Sequence, residues 1–276
     1  MVRVNGVVLV TGSNRGIGLE MTRSLLNNEN VTKVYAGCRN RDKSEMLRTL
    51  ADPNRKLRIL ELDVSKDSSI KSAAETVAEE SKHLNLLINN AAILEKDHRA
   101  GITGGERSSW LRHFDVNVVS YAMMIQECLP LLRKAIANNE SATILNITGR
   151  KGSIALCPGT QHLHGNYAYM CSKAAVNHLT RILSIEHPDI LSVAVCPGWN
   201  RTDMGGPEGM SDPSESAPIL LDAVDGMTIT DHSGKYLDPK FIYKYEFEFA
   251  ATAVKPSNVK HMRSVQQQKM RQNILT

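Results

Sequence analysis

The sequence predicts an α/β fold built on a doubly wound, mostly parallel sheet with helices on both faces. Short, almost continuously apolar runs alternate with longer helix-like stretches, which is typical of buried parallel strands joined by right-handed crossovers. A glycine-rich segment directly follows the first apolar run. The chain has 276 residues and no low-complexity linker that would divide it, so one large domain is favoured over two.

The predicted elements alternate from the N-terminus onward. We expect strands at residues 7–10, 33–36, 57–62, 84–88, 143–147 and 191–195. We expect helices at residues 16–27, 43–51, 68–82, 108–137 and 169–185. The stretch at residues 198–218 is rich in Gly and Pro, so we expect a mobile loop after the last of these strands.

The body of the chain and its C-terminal tail differ in charge. We place the folded domain at residues 1–250 and a basic, polar tail at residues 251–276. The tail holds five basic residues and no acid, which more than accounts for the net charge of +4. Because the body is near neutral, no nucleic-acid partner is predicted, although RNA or a membrane surface attracted by the tail stays an alternative.

The sequence predicts no membrane span, no secretion and no metal site. Its apolar runs are only a few residues long, whereas a transmembrane helix needs about 20 residues. The N-terminus lacks the apolar stretch of a signal peptide, and five scattered cysteines indicate reduced thiols in a cytoplasmic location. His162 and His164 have no acidic or cysteine partner nearby and are predicted to be solvated loop residues.

Residues 11–18 read Thr-Gly-Ser-Asn-Arg-Gly-Ile-Gly between the first predicted strand and the first helix. Glycines there let the backbone approach a pyrophosphate, whose charge is held by free amides and the positive end of the helix dipole. A plain turn is the alternative, but the spacing favours a dinucleotide site in a Rossmann fold. The missing Gly-Lys-Ser/Thr argues against a triphosphate-binding loop. The predicted cofactor contacts are Gly12, Asn14, Arg15, Gly16, Ile17 and Gly18.

The end of the second predicted strand indicates which dinucleotide binds. NAD sites place an acid there to bond the ribose 2′-hydroxyl, whereas this chain has Arg39. The guanidinium of Arg39, helped by Arg15, can pair with a 2′-phosphate. NADP is therefore favoured over NAD as the cofactor, and an exposed basic turn is the alternative interpretation of Arg39.

Further motifs follow the later strands in order: Asp63-Val64, Asn89-Asn90-Ala91-Ala92, Tyr169-Met170-Cys171-Ser172-Lys173, and Pro197-Gly198-Trp199 with Thr202-Asp203-Met204. With these motifs the chain resembles the short-chain dehydrogenase/reductase family over about residues 5–240. Within that family it is most similar to the small carbonyl reductases of the sniffer and C-factor type. The resemblance assigns further cofactor contacts from the adenine end to the nicotinamide end: Asp63 and Val64, Asn89 and Ala91, and Pro197, Gly198 and Thr202.

Tyr169 and Lys173 lie four residues apart in a predicted helix, so both side chains lie on one face. A free phenol has a pKa of about 10, and a nearby cation lowers it towards neutrality. Tyr169 is therefore the predicted acid and base for a substrate oxygen. The resemblance implies that Tyr169 and Lys173 also contact the nicotinamide ribose. It further implies that Asn117 links Lys173 to a water relay.

The sequence departs from the family pattern where a serine usually polarises the substrate carbonyl. The stretch after the fifth predicted strand reads Asn146-Ile147-Thr148-Gly149, which puts Gly149 at that position. Loss of such a donor costs about 10²- to 10³-fold in rate. The hydroxyl of Thr148 or of Ser153 could replace it, although neither residue has the expected spacing. A long segment at residues 150–168 is expected to border the substrate.

Two functions are consistent with the sequence. The first is an NADP(H)-dependent oxidoreductase that reduces a small carbonyl compound or oxidises the corresponding alcohol. The second, motivated by Gly149, is a dinucleotide-binding sensor or signalling protein of the same fold with impaired catalysis. The family resemblance also implies a homodimer or homotetramer.

Overall fold

A single sheet of seven parallel strands forms the centre of the protein. The computed structural model describes residues 3–50, 52, 54–95, 105–156 and 166–238. Its strands are β1 (Gly6–Thr11), β2 (Val31–Cys38), β3 (Leu57–Glu61), β4 (Leu86–Asn89), β5 (Thr143–Ile147), β6 (Leu191–Val195) and β7 (Tyr236–Leu237). They stand in the order β3, β2, β1, β4, β5, β6, β7, and each neighbouring pair is parallel. The predicted parallel sheet is confirmed.

Helices cover both faces of this sheet. Those described are α1 (Gly16–Asn27), α2 (Glu45–Arg48), α3 (Asp67–Glu80), α4 (Arg107–Phe114), α5 (Ser120–Ala137), α6 (Tyr167–Glu186), α7 (Pro213–Asp225) and α8 (Ile229–His232). One apolar core packs α1 and α7 against Val8 and Val10, and a second packs α3 and α5 against Val7 and Leu9. Successive residues of β1 therefore enter opposite cores, as in a strand buried on both faces. The predicted doubly wound architecture is confirmed.

The stretch predicted as one helix at residues 108–137 contains three helical segments. α4 ends at Phe114, a π-helical turn follows at Asp115–Val119, and α5 begins at Ser120. A π-helical turn closes its hydrogen bonds over five residues instead of four. The apolar pattern of the sequence is dominated by the two longer α-helical segments, so it does not show this short insertion.

The loop predicted at residues 198–218 ends earlier than expected, because α7 begins at Pro213. A proline at the first helical position loses no hydrogen bond, since the amide there has no partner within the helix. Asp212 caps this helix by accepting a hydrogen bond of 3.0 Å from the amide of Ser214. The two-residue strand β7 lies outside the predicted elements, because its pairing with β6 defines it more than its own sequence does.

Parts of the predicted organisation fall on residues that the structure does not describe. They are the boundary after residue 250, the basic tail at residues 251–276, and His162 and His164. The sheet belongs to a compact unit at Met1–Pro239. Among the helices that are described, none is long and apolar enough to cross a membrane.

Candidate active site

The predicted site residues gather at the carboxyl edge of the sheet. β1 lies between β2 and β4, so the chain runs outward from β1 to β3 and then returns to the other side of β1. At such a switch point the loops after neighbouring strands diverge and leave a crevice for a ligand. The loops after β1, β4, β5 and β6 border this crevice and carry most of the predicted residues.

The loop after β1 forms a tight cradle. Gly12 and Gly16 have φ of +68° and +56°, a left-handed conformation that glycine adopts without strain. A Cβ atom at Gly12 would lie 2.9 Å from Cα of Ala91, at the end of β4. Two other predicted contacts are half-buried: Asn14 in the same loop and Ile17 in the first turn of α1. Because α1 begins here and its first amides have no acceptor within the helix, the cradle fits a pyrophosphate.

Hydrogen bonds join this cradle to the end of β4. The amides of Asn90 and Ala91 donate to Oγ1 of Thr11 over 2.9 and 3.0 Å. Nδ2 of Asn90 also donates to the carbonyl of Thr11, over 2.9 Å. Thr11 and the side chain of Asn90 are therefore positioning groups that were absent from the predicted contacts. A polar residue ending an otherwise apolar strand is the signal that could have revealed Thr11.

The two arginines predicted at a 2′-phosphate have different surroundings. Arg39 directly follows β2 and is exposed. Nη1 of Arg15 lies 2.6 Å from Oδ2 of Asp203, and the two side chains are 62% and 75% exposed. Asp203 belongs to the loop after β6, so this ion pair spans the crevice. A Cβ atom at Gly16 would lie 3.2 Å from Cγ2 of Thr202, which shows that the two loops also approach each other beside the pair.

The residues predicted at the adenine and at the ribose differ in burial. Asp63 lies beyond the end of β3 and accepts hydrogen bonds from the amide and the hydroxyl of Ser65. Burial acts to raise the pKa of this carboxyl, but the hydrogen bonds from Ser65 and the nearby ammonium of Lys66 together outweigh burial, and the pKa is lowered. Val64 is buried. Asn89 is also buried, and its Nδ2 donates to Oδ1 of Asn146 over 2.9 Å, so its side chain is engaged inside the protein.

The loop after β6 carries the residues predicted at the nicotinamide. Gly198 has a φ of +81°, a left-handed conformation that lets the chain turn after Pro197. Nδ2 of Asn200 donates to the carbonyl of Pro197 over 2.8 Å. Oγ1 of Thr202 accepts a hydrogen bond of 3.0 Å from the amide of Gly205. The loop predicted to be mobile is therefore held by hydrogen bonds of its own.

Tyr169 and Lys173 lie in the first turns of α6, as predicted from their spacing. Nζ of Lys173 donates to the carbonyl of Ile147 over 2.8 Å and to the hydroxyl of Tyr121 over 3.3 Å. The same Nζ lies 5.9 Å from the ring centre of Tyr169. The end of β5 therefore holds the lysine directly beside the phenol.

Burial decides the protonation of both groups. It lowers the pKa of Lys173 to about 7, because the surrounding protein solvates an ammonium poorly. It raises the pKa of Tyr169, and the nearby thiol of Cys196 acts in the same direction. The structure thus differs from the prediction that the cation lowers the pKa of Tyr169: desolvation raises this pKa, so the phenol keeps its proton at neutral pH.

Asn117 is fully buried within the π-helical turn. Its Oδ1 accepts a hydrogen bond of 2.8 Å from the amide of Ile93, and its Nδ2 donates to the carbonyl of Ile93 over 3.0 Å. Nδ2 also donates to Oγ of Ser172 over 3.0 Å. Asn117 therefore ties the segment after β4 to the residue beside Lys173, and its link to Lys173 through water stays a prediction.

Gly149 faces the hydroxyl of Tyr169. Among the described residues, only Oη of Tyr169 would lie within 4 Å of a Cβ atom built at Gly149, at 3.5 Å. The hydroxyl of Thr148 donates to the carbonyl of Lys173 over 3.3 Å, and Oγ of Ser153 accepts from the amide of Leu156 over 3.2 Å. The structure thus gives backbone partners to both hydroxyls that were predicted as replacements for the family serine.

Comparison with known proteins identifies the family. The family model for short chain dehydrogenases matches residues 6–211, which is most of the chain. The chain belongs to the short-chain dehydrogenase family. A short-chain dehydrogenase of Penicillium roqueforti is 31% identical over 231 residues, covering 80% of this chain and 89% of that protein. The benzil reductase of Saccharomyces cerevisiae, described as forming (S)-benzoin, is 28% identical and covers 74% of this chain and 78% of its own.

Solved structures of short-chain dehydrogenases show the same relationship. The NADPH-bound carbonyl reductase from chicken fatty liver is 35% identical with a TM-score of 0.79, covering 87% of this chain and 97% of that chain. Carbonyl reductase Sniffer of D. melanogaster is 31% identical with a TM-score of 0.77, covering 85% and 96%. The predicted resemblance to sniffer-type carbonyl reductases is confirmed.

Two groups beside Tyr169 and Lys173 of this short-chain dehydrogenase were absent from the predicted set. Tyr121 is buried, accepts a hydrogen bond from Lys173 and donates to the carbonyl of Ile147 over 3.1 Å. Ser172 joins Asn117 to the backbone of Tyr169, because its Oγ donates to the Tyr169 carbonyl over 2.7 Å. The position of Tyr121 four residues after Asn117 is a signal that could have revealed it.

The segment expected to border the substrate, residues 150–168, is only partly described. Residues 157–165, about half of that segment, lie outside the described ranges. Within the described residues, Lys173 and Gly149 both lie close to the Tyr169 side chain.

Proposed function

We propose that this protein is an NADP(H)-dependent oxidoreductase that reduces the carbonyl of a small molecule or oxidises the corresponding alcohol. The observation that carries the proposal is the position of Tyr169 beside the buried Lys173, at the same sheet edge as the glycine cradle. A protonated phenol at the mouth of a dinucleotide crevice is the group that a carbonyl oxygen requires when the carbon accepts hydride. Relatives described as carbonyl reductases support the same reaction.

The choice of cofactor follows from the charges around the cradle. Gly12, Gly16 and the start of α1 would hold the pyrophosphate, and the exposed Arg39 would meet the 2′-phosphate. Residues 38–41 hold no acid that would repel this phosphate. The chicken relative is described as NADPH-bound, which supports the same choice. When bound, the reduced nicotinamide supplies the hydride.

The residues of the chain then donate the proton and stabilise the group that loses it. The hydroxyl of Tyr169 donates to the carbonyl oxygen as negative charge develops there. Lys173, held beside the phenol by Ile147 and Tyr121, stabilises the phenolate that remains. Asn117 acts as a positioning residue, because it joins the segment after β4 to Ser172 in the same helical turn as Lys173.

The test is the oxidation of NADPH and NADH with a panel of aldehydes, ketones and quinones. We expect turnover with NADPH, and Tyr169→Phe should lower it by about 10²- to 10⁴-fold without changing the Kd for NADPH. Tyr167→Phe is the matched control, since Tyr167 lies in the same helix without a lysine four residues later. Undiminished turnover in Tyr169→Phe would refute the role of this tyrosine. Cofactor binding without turnover would favour the alternative of an impaired sensor.

We further propose that the protein works as a homodimer or homotetramer in the cytoplasm. Leu111, Ile182 and Ile185 are helical residues with large apolar side chains that are 62%, 45% and 66% exposed, as expected where a second copy packs. Sedimentation of the purified chain tests the assembly, and a monomer at micromolar concentration would contradict it.

A further inference from the structure

The glycine at position 149 is not required by the backbone or by packing. Its φ of −168° is extended, so any residue could adopt it. A Cβ atom there would meet, among the described residues other than its chain neighbours, only the hydroxyl of Tyr169, at 3.5 Å. The described residues therefore leave room for the first carbon of a side chain at this position. The glycine leaves room beside the proton donor and removes a hydrogen-bond donor from the same place.

Several neighbouring polar groups of the described chain have other partners. The hydroxyl of Thr148 bonds the backbone of Lys173, and the hydroxyl of Tyr121 bonds the carbonyl of Ile147. The amide of Asn117 is bonded to Ile93 and Ser172. The guanidinium of Arg150 pairs with Asp238 at 3.0 Å. Tyr169 is thus the described donor that faces position 149, and a serine at that position would add a second hydroxyl next to it.

A second donor matters because charge develops on the carbonyl oxygen during reduction. Removing one oriented donor from such an oxygen costs about 10²- to 10³-fold in rate. A hydroxyl carried by the substrate itself can replace that donor, because it is already held near the oxygen by covalent bonds and loses little entropy. Its hydrogen bond strengthens as the oxygen becomes negative, so it favours the transition state over the bound ketone.

We propose that the preferred substrates are hydroxycarbonyl compounds, in which a hydroxyl one or two carbons from the carbonyl occupies the space beside Gly149 and donates to the carbonyl oxygen. This inference rests on the proposed reductase function. The carbonyl carbon accepts hydride from the reduced nicotinamide, which is oxidised, and the oxygen accepts the proton of Tyr169. The C=O double bond becomes a single bond with new C–H and O–H bonds, and the flanking hydroxyl keeps its proton. The product is a diol.

The test compares three ketones that differ at one group, with the proposed NADPH as hydride donor. Hydroxyacetone carries the donor, methoxyacetone keeps the inductive effect without the donor, and 2-butanone matches the size of hydroxyacetone. For the unmodified protein we expect kcat/KM for hydroxyacetone to exceed that for each of the other two by about tenfold or more. A matching set of 2-substituted acetophenones repeats the comparison for a larger substrate.

Two variants decide whether Gly149 is the cause of this preference. Gly149→Ser supplies the donor from the protein. The kcat/KM for methoxyacetone and 2-butanone should therefore rise tens-fold, while the kcat/KM for hydroxyacetone should rise little. The ratio of kcat/KM for hydroxyacetone to that for each other ketone should fall towards one. Gly149→Ala fills part of the space without a donor and should not raise turnover of methoxyacetone or 2-butanone. This pair separates the hydroxyl from the added volume.

The outcomes distinguish this inference from the proposed function. Turnover that depends on Tyr169 but is equal for the three ketones would overturn the inference and leave the reductase intact. A preference for hydroxyacetone that persists unchanged in Gly149→Ser would also overturn it, because the preference would then arise elsewhere in the pocket. Absence of turnover with every carbonyl compound tried, including the panel of the previous section, would overturn both.

Discussion

Gly18 in the phosphate cradle and Gly149 beside Tyr169 lie at the same edge of the sheet but have different surroundings. A Cβ atom at Gly18 would collide with the carbonyl oxygen of Gly12 and lie 2.5 Å from Nδ2 of Asn90. A Cβ atom at Gly149 would touch only Oη of Tyr169 among the described residues. Packing therefore requires a glycine at position 18 in the proposed cofactor half, whereas packing among the described residues does not require one at position 149.

The cationic side chains of the two halves also differ in exposure and in their partners. Arg15 and Arg39 in the cofactor half are exposed, and Arg15 has an exposed acidic partner. Lys173 in the catalytic half is buried against the end of β5 and has uncharged hydrogen-bond partners, Ile147 and Tyr121. An exposed cation costs little to keep, while a buried one lowers stability unless it loses its proton. A positive charge is therefore expected to lower the stability of the protein mainly in the catalytic half.

The largest expected effect is a pH dependence of the free energy of unfolding that arises from the buried Lys173. The pKa of Lys173 is lowered to about 7 in the folded protein, so between pH 7 and 10 the unfolded chain binds more protons at this residue. Stability contributed by this group must then rise with pH. We expect the free energy of unfolding of the native protein, minus that of Lys173→Met, to increase by about 3 kcal/mol from pH 7 to pH 10.

Denaturant titrations at several pH values measure this difference. The exposed Lys134→Met is the control for the loss of one cation, and its difference from the native protein should vary much less with pH. A difference for Lys173→Met that stays flat across this range would contradict the buried charge.

A second prediction compares the same substitution in both halves. Gly18→Ala should lower the free energy of unfolding by about 1–3 kcal/mol, because the added methyl group collides with backbone in the cradle. Gly149→Ala should change it by less than about 0.5 kcal/mol. Thermal and urea unfolding of the two variants measure both values. Equal losses would mean that packing constrains the two glycines alike.

The smallest expected effect concerns the ion pair between Arg15 and Asp203. A 2′-phosphate must compete with Asp203 for the guanidinium of Arg15, and an exposed pair contributes about 0.2–1 kcal/mol. Asp203→Asn should therefore tighten NADP binding by about two- to fivefold and leave NAD binding unchanged. Glu208→Gln, which removes one acid from the same loop, is the charge-matched control. Fluorescence titration gives the Kd values, and weaker binding of NADP by Asp203→Asn would show that Asp203 instead holds Arg15 in place for the phosphate.

The sequence predicted the cofactor half in more detail than the catalytic half. Six strands, the helix at Gly16–Asn27 and the cradle follow from local patterns, because apolar runs and glycine spacing act over a few residues. The spacing of Tyr169 and Lys173 likewise predicted their shared face. The bonding of the Thr148 hydroxyl to Lys173, the pairing of Arg15 with Asp203 and strand β7 depend on residues far apart in the chain. No local pattern contains that information.

The π-helical turn at Asp115–Val119 also sets the phase between α4 and α5. Each residue of an α-helix advances the chain by about 100° around its axis, so one extra residue rotates everything after it by that angle relative to everything before it. We expect that removing a single residue from the turn would convert it to ordinary helix and rotate α5 relative to α4. The number of residues in this segment therefore affects the position of Asn117 as much as their identity does. Related chains are best compared by the length of this turn as well as by its amino-acid sequence.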